Sequence, residues 1–216
     1  MKKKILTASI FLIAFIIWTV AVAIVHVEPI GPMQSCVGFA AWNSWFHQLT
    51  GVHMALYHIT DLLSIIPIAI ILFFALTGLL QWIRRGKLRY VDYDILVLGG
   101  FYAAVLTLFV FFEIYVVNYR PILIEGILEP SYPSSTTMLV MCVMPTAMIQ
   151  FHHRIKNPLI QRCFSVFLSN YTAFMVLGRL LSGVHWLTDI IGGILLSAGL
   201  VILYAALCSM EINRAR

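Results

Sequence analysis

Three short stretches of the chain gather side chains suited to holding and transferring an anion. They are Glu113-Ile-Tyr-Val-Val-Asn-Tyr-Arg120-Pro121, Ser131-Tyr-Pro-Ser134-Ser135-Thr136-Thr137, and Arg179-Leu-Leu-Ser-Gly-Val-His185-Trp-Leu-Thr-Asp189. Two guanidiniums can grip a phosphate in fork geometry. The Pro-Ser-Ser-Thr-Thr run opens a helix, so the hydroxyls of Ser134, Ser135 and Thr136 and the free backbone N–H groups beside them can face an anion. His185 and Asp189 stand four residues apart and share a helical face if a helix starts near His185. A carboxylate bonded to one ring nitrogen fixes the tautomer and leaves the other nitrogen as nucleophile or base. Plainer readings exist for each piece alone. Arg120 could reach to lipid headgroups, Arg179 could tie to Asp189, and His185 could be an ordinary interfacial residue.

The elements that must position these residues follow from composition. The 216 residues are 61% hydrophobic and 11% charged, with a mean hydropathy of +0.94. Soluble domains carry roughly 25% charge, and disordered chains have low hydropathy, so both classes are excluded. The net charge of +5 does not indicate nucleic acid, because no basic stripe carries interleaved aromatics. Cys36, Cys142, Cys163 and Cys208 show no metal-ligand spacing and read as small packing residues. No metal or cofactor is expected.

A membrane helix needs about 20 mostly apolar residues. Six runs qualify: Ile5–Val25, Leu62–Ile83, Ile95–Val117, Ser134–Phe151, Cys163–Leu181 and Asp189–Cys208. The fourth is short, and Pro145 should kink it. The first is longer than the 7–15-residue core of a signal peptide and is expected to stay as a span. Between the first two runs, Trp42, Trp45, Phe46, Leu49, Val52, Leu56 and Ile59 recur at helical spacing. That pattern predicts a helix lying in the outer interface, with His47, His53 and His58 as interfacial polar residues. The expected architecture is all-α: a single membrane domain over 1–216, with six transmembrane helices plus an outer interfacial helix.

With the N-terminus inside, Lys2–Lys4, Arg84, Arg85, Lys87, Arg89, Arg154, Lys156, Arg162, Arg214 and Arg216 all fall on the cytoplasmic side. Both termini are then cytoplasmic, and the short basic inner loops suggest a bacterial cytoplasmic membrane. Arg120 and Arg179 alone break the rule, on the outer side beside His185 and Asp189. Asn170, in mid-span, is expected to bond to a neighbouring helix. Gly193-x3-Ser197 is expected to form a close helix contact.

The three stretches resemble the membrane-bound type 2 phosphatidic acid phosphatases, relatives of the vanadium haloperoxidases. That family's pattern is Lys-x6-Arg-Pro, Pro-Ser-Gly-His and Ser-Arg-x5-His-x3-Asp. Arg120-Pro121, Pro133-Ser134 and Arg179, His185 and Asp189 match it in order and separation. The resemblance implies that His185 attacks phosphorus to form a phosphohistidine, with Asp189 orienting it. Arg120, Arg179, Ser134 and nearby amides would hold the phosphoryl oxygens, and no cofactor would be needed.

The chain also departs from the pattern. Glu113 stands where the family has Lys, Ser135 where it has Gly, Thr136 where it has the leaving-group-protonating His, and Gly178 where it has Ser. Losing a general acid costs about 10²–10⁴-fold, least when the leaving group is itself a phosphate. The implied activity is hydrolysis of a lipid phosphate or isoprenoid diphosphate at the outer leaflet. The other reading is a non-catalytic member that binds a phospholipid or polyprenyl phosphate in the same pocket. A transporter is disfavoured, because no internal repeat is visible and the polar cluster lies near one surface.

Overall fold

A computed structural model describes the backbone of residues 1–214 and the side chains through Ser209; Arg216 and the side chain of Arg214 lie outside the described residues. The helices are α1 (Lys2–Ile24), α2 (Ala40–Thr50), α3 (Met54–Leu63), α4 (Ile65–Arg85), α5 (Tyr93–Ile114), α6 (Ser135–Arg154), α7 (Pro158–Leu181) and α8 (Leu187–Arg214). Among the described residues there is no strand, only isolated bridges such as Tyr119 with Pro130. Five stretches are long and apolar enough to cross a membrane: α1, α3 with α4, α5, α7 and α8. The chain is an integral membrane protein.

The fourth expected run becomes α6, which is the least apolar long helix and the most enclosed. Val140, Cys142, Val143, Met144 and Ala147 have no exposed surface. A helix walled in by other helices has no lipid to satisfy, so it tolerates polar side chains that find partners. Thr146 donates to the Cys142 carbonyl at 2.7 Å and meets the Tyr102 hydroxyl at 3.1 Å. Gln150 bonds to the Asp94 carbonyl and the Tyr204 hydroxyl. Pro145 does not end the helix, which runs unbroken from Ser135 to Arg154.

Around α6 the chain closes on itself through α1 and α8. Trp18 Nε1 donates to the Thr188 carbonyl at 3.1 Å at one end of this pair, and Lys4 Nζ reaches Ser209 Oγ at 3.1 Å at the other. Between them, the backbone of Gly199 lies against Leu12; a Cβ there would sit 2.8 Å from the Leu12 side chain. Close approach of this kind is how helices associate in lipid, where apolar burial gives no advantage over lipid tails. Gly193 plays the expected packing role, since a Cβ there would meet Thr137 of α6 at 3.2 Å.

Three expectations are corrected. The segment before the second span is not one interfacial helix. It breaks at Gly51, whose φ is 66°, into α2 and α3, and Leu56 and Ile59 belong to the helix leading into α4. The third span stops at Ile114 rather than Val117, because Asn118 is pulled into buried hydrogen bonds with α8. Glu113 and Arg120 therefore do not share a helix. Asn170 bonds to the Val166 carbonyl of its own helix at 2.9 Å, not to a neighbour.

The α1–α8 contact yields a test. Gly199→Leu overfills it and is expected to cost about 1–3 kcal/mol, lowering Tm in detergent by roughly 2–10 °C. Leu12→Ala in the same chain should restore most of the loss. A Gly199→Leu protein with unchanged Tm would mean that α1 is not seated on α8 as described.

Candidate active site

The C-terminal ends of α5 and α7 and the N-terminal ends of α6 and α8 gather around one buried carboxylate. Asp189, in the first turn of α8, has no exposed surface. Its Oδ1 accepts from Asn118 Nδ2 at 3.1 Å, its Oδ2 accepts from the Trp186 N–H at 2.9 Å, and its backbone carbonyl accepts from the Ser134 N–H at 3.1 Å. Helix N-termini carry partial positive charge and unsatisfied N–H groups, which is where a carboxylate is most stable. One residue thus joins the loop bearing Arg120, the start of α6 and the start of α8.

His185 precedes α8 in a loop held by α2 and α3. The His47 ring donates to the Gly183 carbonyl at 3.1 Å, and the His53 N–H donates to the Ser182 carbonyl at 2.9 Å. Asn43 bonds to Thr188 Oγ1 at 3.0 Å, and Trp186 Nε1 donates to the Tyr119 carbonyl at 2.7 Å. Gly183 is required here on two counts. Its φ is 69°, and a Cβ would lie 2.0 Å from the Gly51 carbonyl oxygen.

The His185 side chain is 1% exposed, with Nδ1 3.7 Å from Asp189 Oδ2 and Nε2 3.3 Å from Arg120 Nη1. A guanidinium only donates, so this contact makes Nε2 the acceptor and puts the ring proton on Nδ1, facing Asp189. That is the tautomer a nucleophile at Nε2 needs. The 3.7 Å gap is longer than a hydrogen bond; such contacts commonly tighten when substrate binds. Burial pushes the imidazole down to about 4 against the pull of Asp189, and the charges of Arg120 and Arg179 add to the lowering. The ring is neutral at physiological pH.

Both arginines are present and both are already paired. Arg120 Nε lies 2.9 Å from Glu129 Oε2. Arg179, 2% exposed, directs Nη2 to Asp61 Oδ1 at 2.9 Å and stacks 4.8 Å from the Tyr57 ring centroid. Among the described residues its Nε and Nη1 have no hydrogen-bond partner, and a buried donor left so costs about 1–3 kcal/mol. Arg179 does not tie to Asp189.

The serine and threonine candidates divide between two surroundings. Ser134 is fully buried and caps α6, its Oγ accepting from the Thr137 N–H at 3.5 Å. Ser135 and Thr136 are partly exposed and, with Asp61, line a cavity between α4, α5 and α6. The arrangement brings His185, Asp189 and Arg120 into direct contact, with Arg179 near enough to act on the imidazole through its charge. Sequence reasoning missed Asp61, Tyr57, Glu129, Asn118 and the bracing roles of Asn43 and His47. Asp61 and Arg179 are 118 positions apart, and no spacing rule links such a pair.

Residues 109–212 match the PAP2 superfamily. No curated protein is matched by the sequence. The crystal structure of a transmembrane PAP2-type phosphatidylglycerolphosphate phosphatase from Bacillus subtilis superposes over 95% of this chain and 96% of its own, with a TM-score of 0.64 and 15% identity. At that identity the likeness establishes the fold.

The buried neutral imidazole gives stability a definite pH dependence. The unfolded histidine, near 6.5, binds a proton more readily than the folded one, near 4. Its contribution is therefore complete above pH 6.5 and is lost as pH falls toward about 4. Thermal unfolding in detergent across that window should show Tm falling with pH. His185→Gln should flatten the slope, and an identical slope in that variant would place the titrating group elsewhere.

Proposed function

We propose that the chain, whose residues 109–212 match the PAP2 superfamily, is a phosphatase of membrane lipids, hydrolysing a lipid phosphate or isoprenoid diphosphate through a phosphohistidine. The observation that carries this reading is a buried, neutral histidine whose Nε2 accepts from the partly buried Arg120, with the charge of buried Arg179 acting on the same ring.

In this mechanism His185 Nε2 attacks phosphorus in line with the leaving oxygen. The nitrogen–phosphorus bond forms as the phosphorus–oxygen bond breaks, and Asp189 stabilises the positive charge that develops on the ring. Arg120 and Arg179 hold the transferring oxygens, and the two unpartnered N–H groups of Arg179 gain acceptors. Charge stabilisation by fixed donors supplies most of the rate in such a transfer. Water then attacks the phosphohistidine, releasing phosphate and restoring the neutral ring. Substrate oxygens take the places that Glu129 and Asp61 hold on the arginines.

With Thr136 at the general-acid position, the favoured substrate is one whose departing group needs no proton. A lipid diphosphate releases a phosphate, whereas phosphatidic acid must release an alkoxide. We take α6 as a sixth span, α2 as the outer interfacial helix, and residues 1–216 as one membrane domain. Both termini and the basic residues Lys2–Lys4, Arg84, Arg85, Lys87, Arg89, Arg154, Lys156 and Arg162 lie on the cytoplasmic side, and Arg120 and Arg179 do not, with the site at the outer leaflet of a bacterial cytoplasmic membrane. A second reading, binding of a polyprenyl phosphate without turnover, draws support from the carboxylates. Glu129 and Asp61 already neutralise both arginines, and Glu113 adds a further acid where a cation would help.

Phosphate release by the detergent-purified protein decides between them. Undecaprenyl diphosphate should be hydrolysed faster than its monophosphate or phosphatidic acid. His185→Ala should reduce release by at least about 10³-fold, the loss expected for a covalent nucleophile. Comparable turnover of phosphatidic acid would remove the leaving-group argument. No release above the His185→Ala level from any of the three lipids would establish the binding reading.

A further inference from the structure

The cavity beside Ser135 and Thr136 does not stop at the head-group site. It holds about 600 Å³ between α4, α5 and α6, with Asp61, Ser135 and Thr136 at its mouth and Ile71 and Tyr102 deeper in. Ile71 and Tyr102 also line a second cavity of about 490 Å³, which continues between α4 and α5 past Gly78, Gly99 and Gly100 to Trp82 and Leu88. Sharing these two walls, the cavities lie end to end as a groove along α4 and α5. At 1.5 Å per residue, the stretch of α4 from its mouth at Ser64 to Trp82 measures about 27 Å, close to the roughly 30 Å of a whole hydrocarbon core.

The inner end is shut. Gln81 exchanges two hydrogen bonds with Asp92, at 2.8 and 2.9 Å, and Arg85 reaches Asp92 Oδ1 at 2.6 Å. Leu88 and Val91, from the turn between α4 and α5, floor the inner cavity. Two of the glycines along it differ from the packing glycines elsewhere. A Cβ at Gly199 or Gly183 would collide with a neighbour, and one at Gly78 would meet Ile95 at 3.0 Å, whereas one at Gly99 or Gly100 would meet nothing within 4 Å. An interior glycine weakens a helix relative to alanine, and at Gly99 and Gly100 no close helix contact offsets that loss. What these glycines provide is an open groove wall.

We propose that the α4–α5 groove holds the hydrocarbon chain of the lipid along its full length and selects chains longer than one leaflet. The identity of the head group rests on the phosphatase reading above. The chain argument rests on geometry: an acyl chain anchored in one leaflet ends near the midplane, about 15 Å down, and leaves the inner cavity unused. A long polyprenyl chain reaches it. Gly99 and Gly100 are then specificity-determining residues that act on chain length and not on the reaction.

Binding of undecaprenyl diphosphate, farnesyl diphosphate and undecaprenol to the detergent-purified protein tests this. Gly99→Leu and Gly100→Leu fill the inner groove with a better helix former, and Ala104→Leu, on the same helix outside both cavities, serves as control. Either glycine variant should weaken undecaprenyl diphosphate binding by roughly 3- to 10-fold, the scale of a packing contact among apolar groups. Farnesyl diphosphate binding should be unchanged. Undecaprenol, which has no phosphate, should compete in the parent and the control but not in the glycine variants. That result would stand even if no phosphate were released, so failure of the phosphatase reading would be seen separately. Equal weakening for both chain lengths, no weakening at all, or no chain-length preference in the parent would overturn the proposal.

Discussion

A carboxylate with no exposed surface must be fully hydrogen-bonded, and the end of the molecule that holds His185 is arranged around that requirement. Asp189 draws donors from Asn118 and Trp186, while its carbonyl takes the Ser134 N–H. The hydrogen bonds of this one residue, two to its carboxylate and one to its carbonyl, thereby end α5 early, seat the start of α6 and set the loop that carries His185. The carboxylate that orients the imidazole is also the joint of the framework. Its removal would disturb geometry and chemistry together, so a lost activity on its mutation would not by itself separate the two.

The arginines show a second economy of charge. Each would be an uncompensated buried or half-buried cation without substrate, a costly state. Glu129 and Asp61 relieve it by offering carboxylate oxygens in the geometry that a phosphoryl group would offer. The resting site is thus neutralised from within. Binding becomes an exchange of one anion for another, and affinity depends on how far the incoming charge exceeds that of a carboxylate.

The spans were legible because a run of about 20 apolar residues has few alternatives in a membrane. The start of α6 was legible from Ser134 as a cap even though its hydropathy is the weakest, since capping chemistry is local. The triplet of His185, Asp189 and Arg120, which the structure brings together, was readable from ionisable residues of opposite charge clustering beside apolar runs. What failed was non-local. The break at Gly51 is held by hydrogen bonds from His47 and His53, on either side of it, to the Gly183 and Ser182 carbonyls, and the stop at Ile114 exists because Asn118 has partners on α8. Tertiary hydrogen bonds overrode periodicity in both places. Asp61 and Glu129 looked like ordinary acids, for nothing in their own neighbourhoods marks them as arginine partners.

The pairing of α1 with α8 has a consequence for how the molecule is made. Trp18 and the residue that accepts its hydrogen bond are 170 positions apart, so the first helix to enter the bilayer must wait for the last. Until α8 arrives, Asn43 and Asn118 lack the partners they will have, and the cap on α6 has no carbonyl to receive the Ser134 N–H. Completion of the site therefore waits for α8. A chain interrupted before α8 would be left with its helices only partly consolidated in the bilayer.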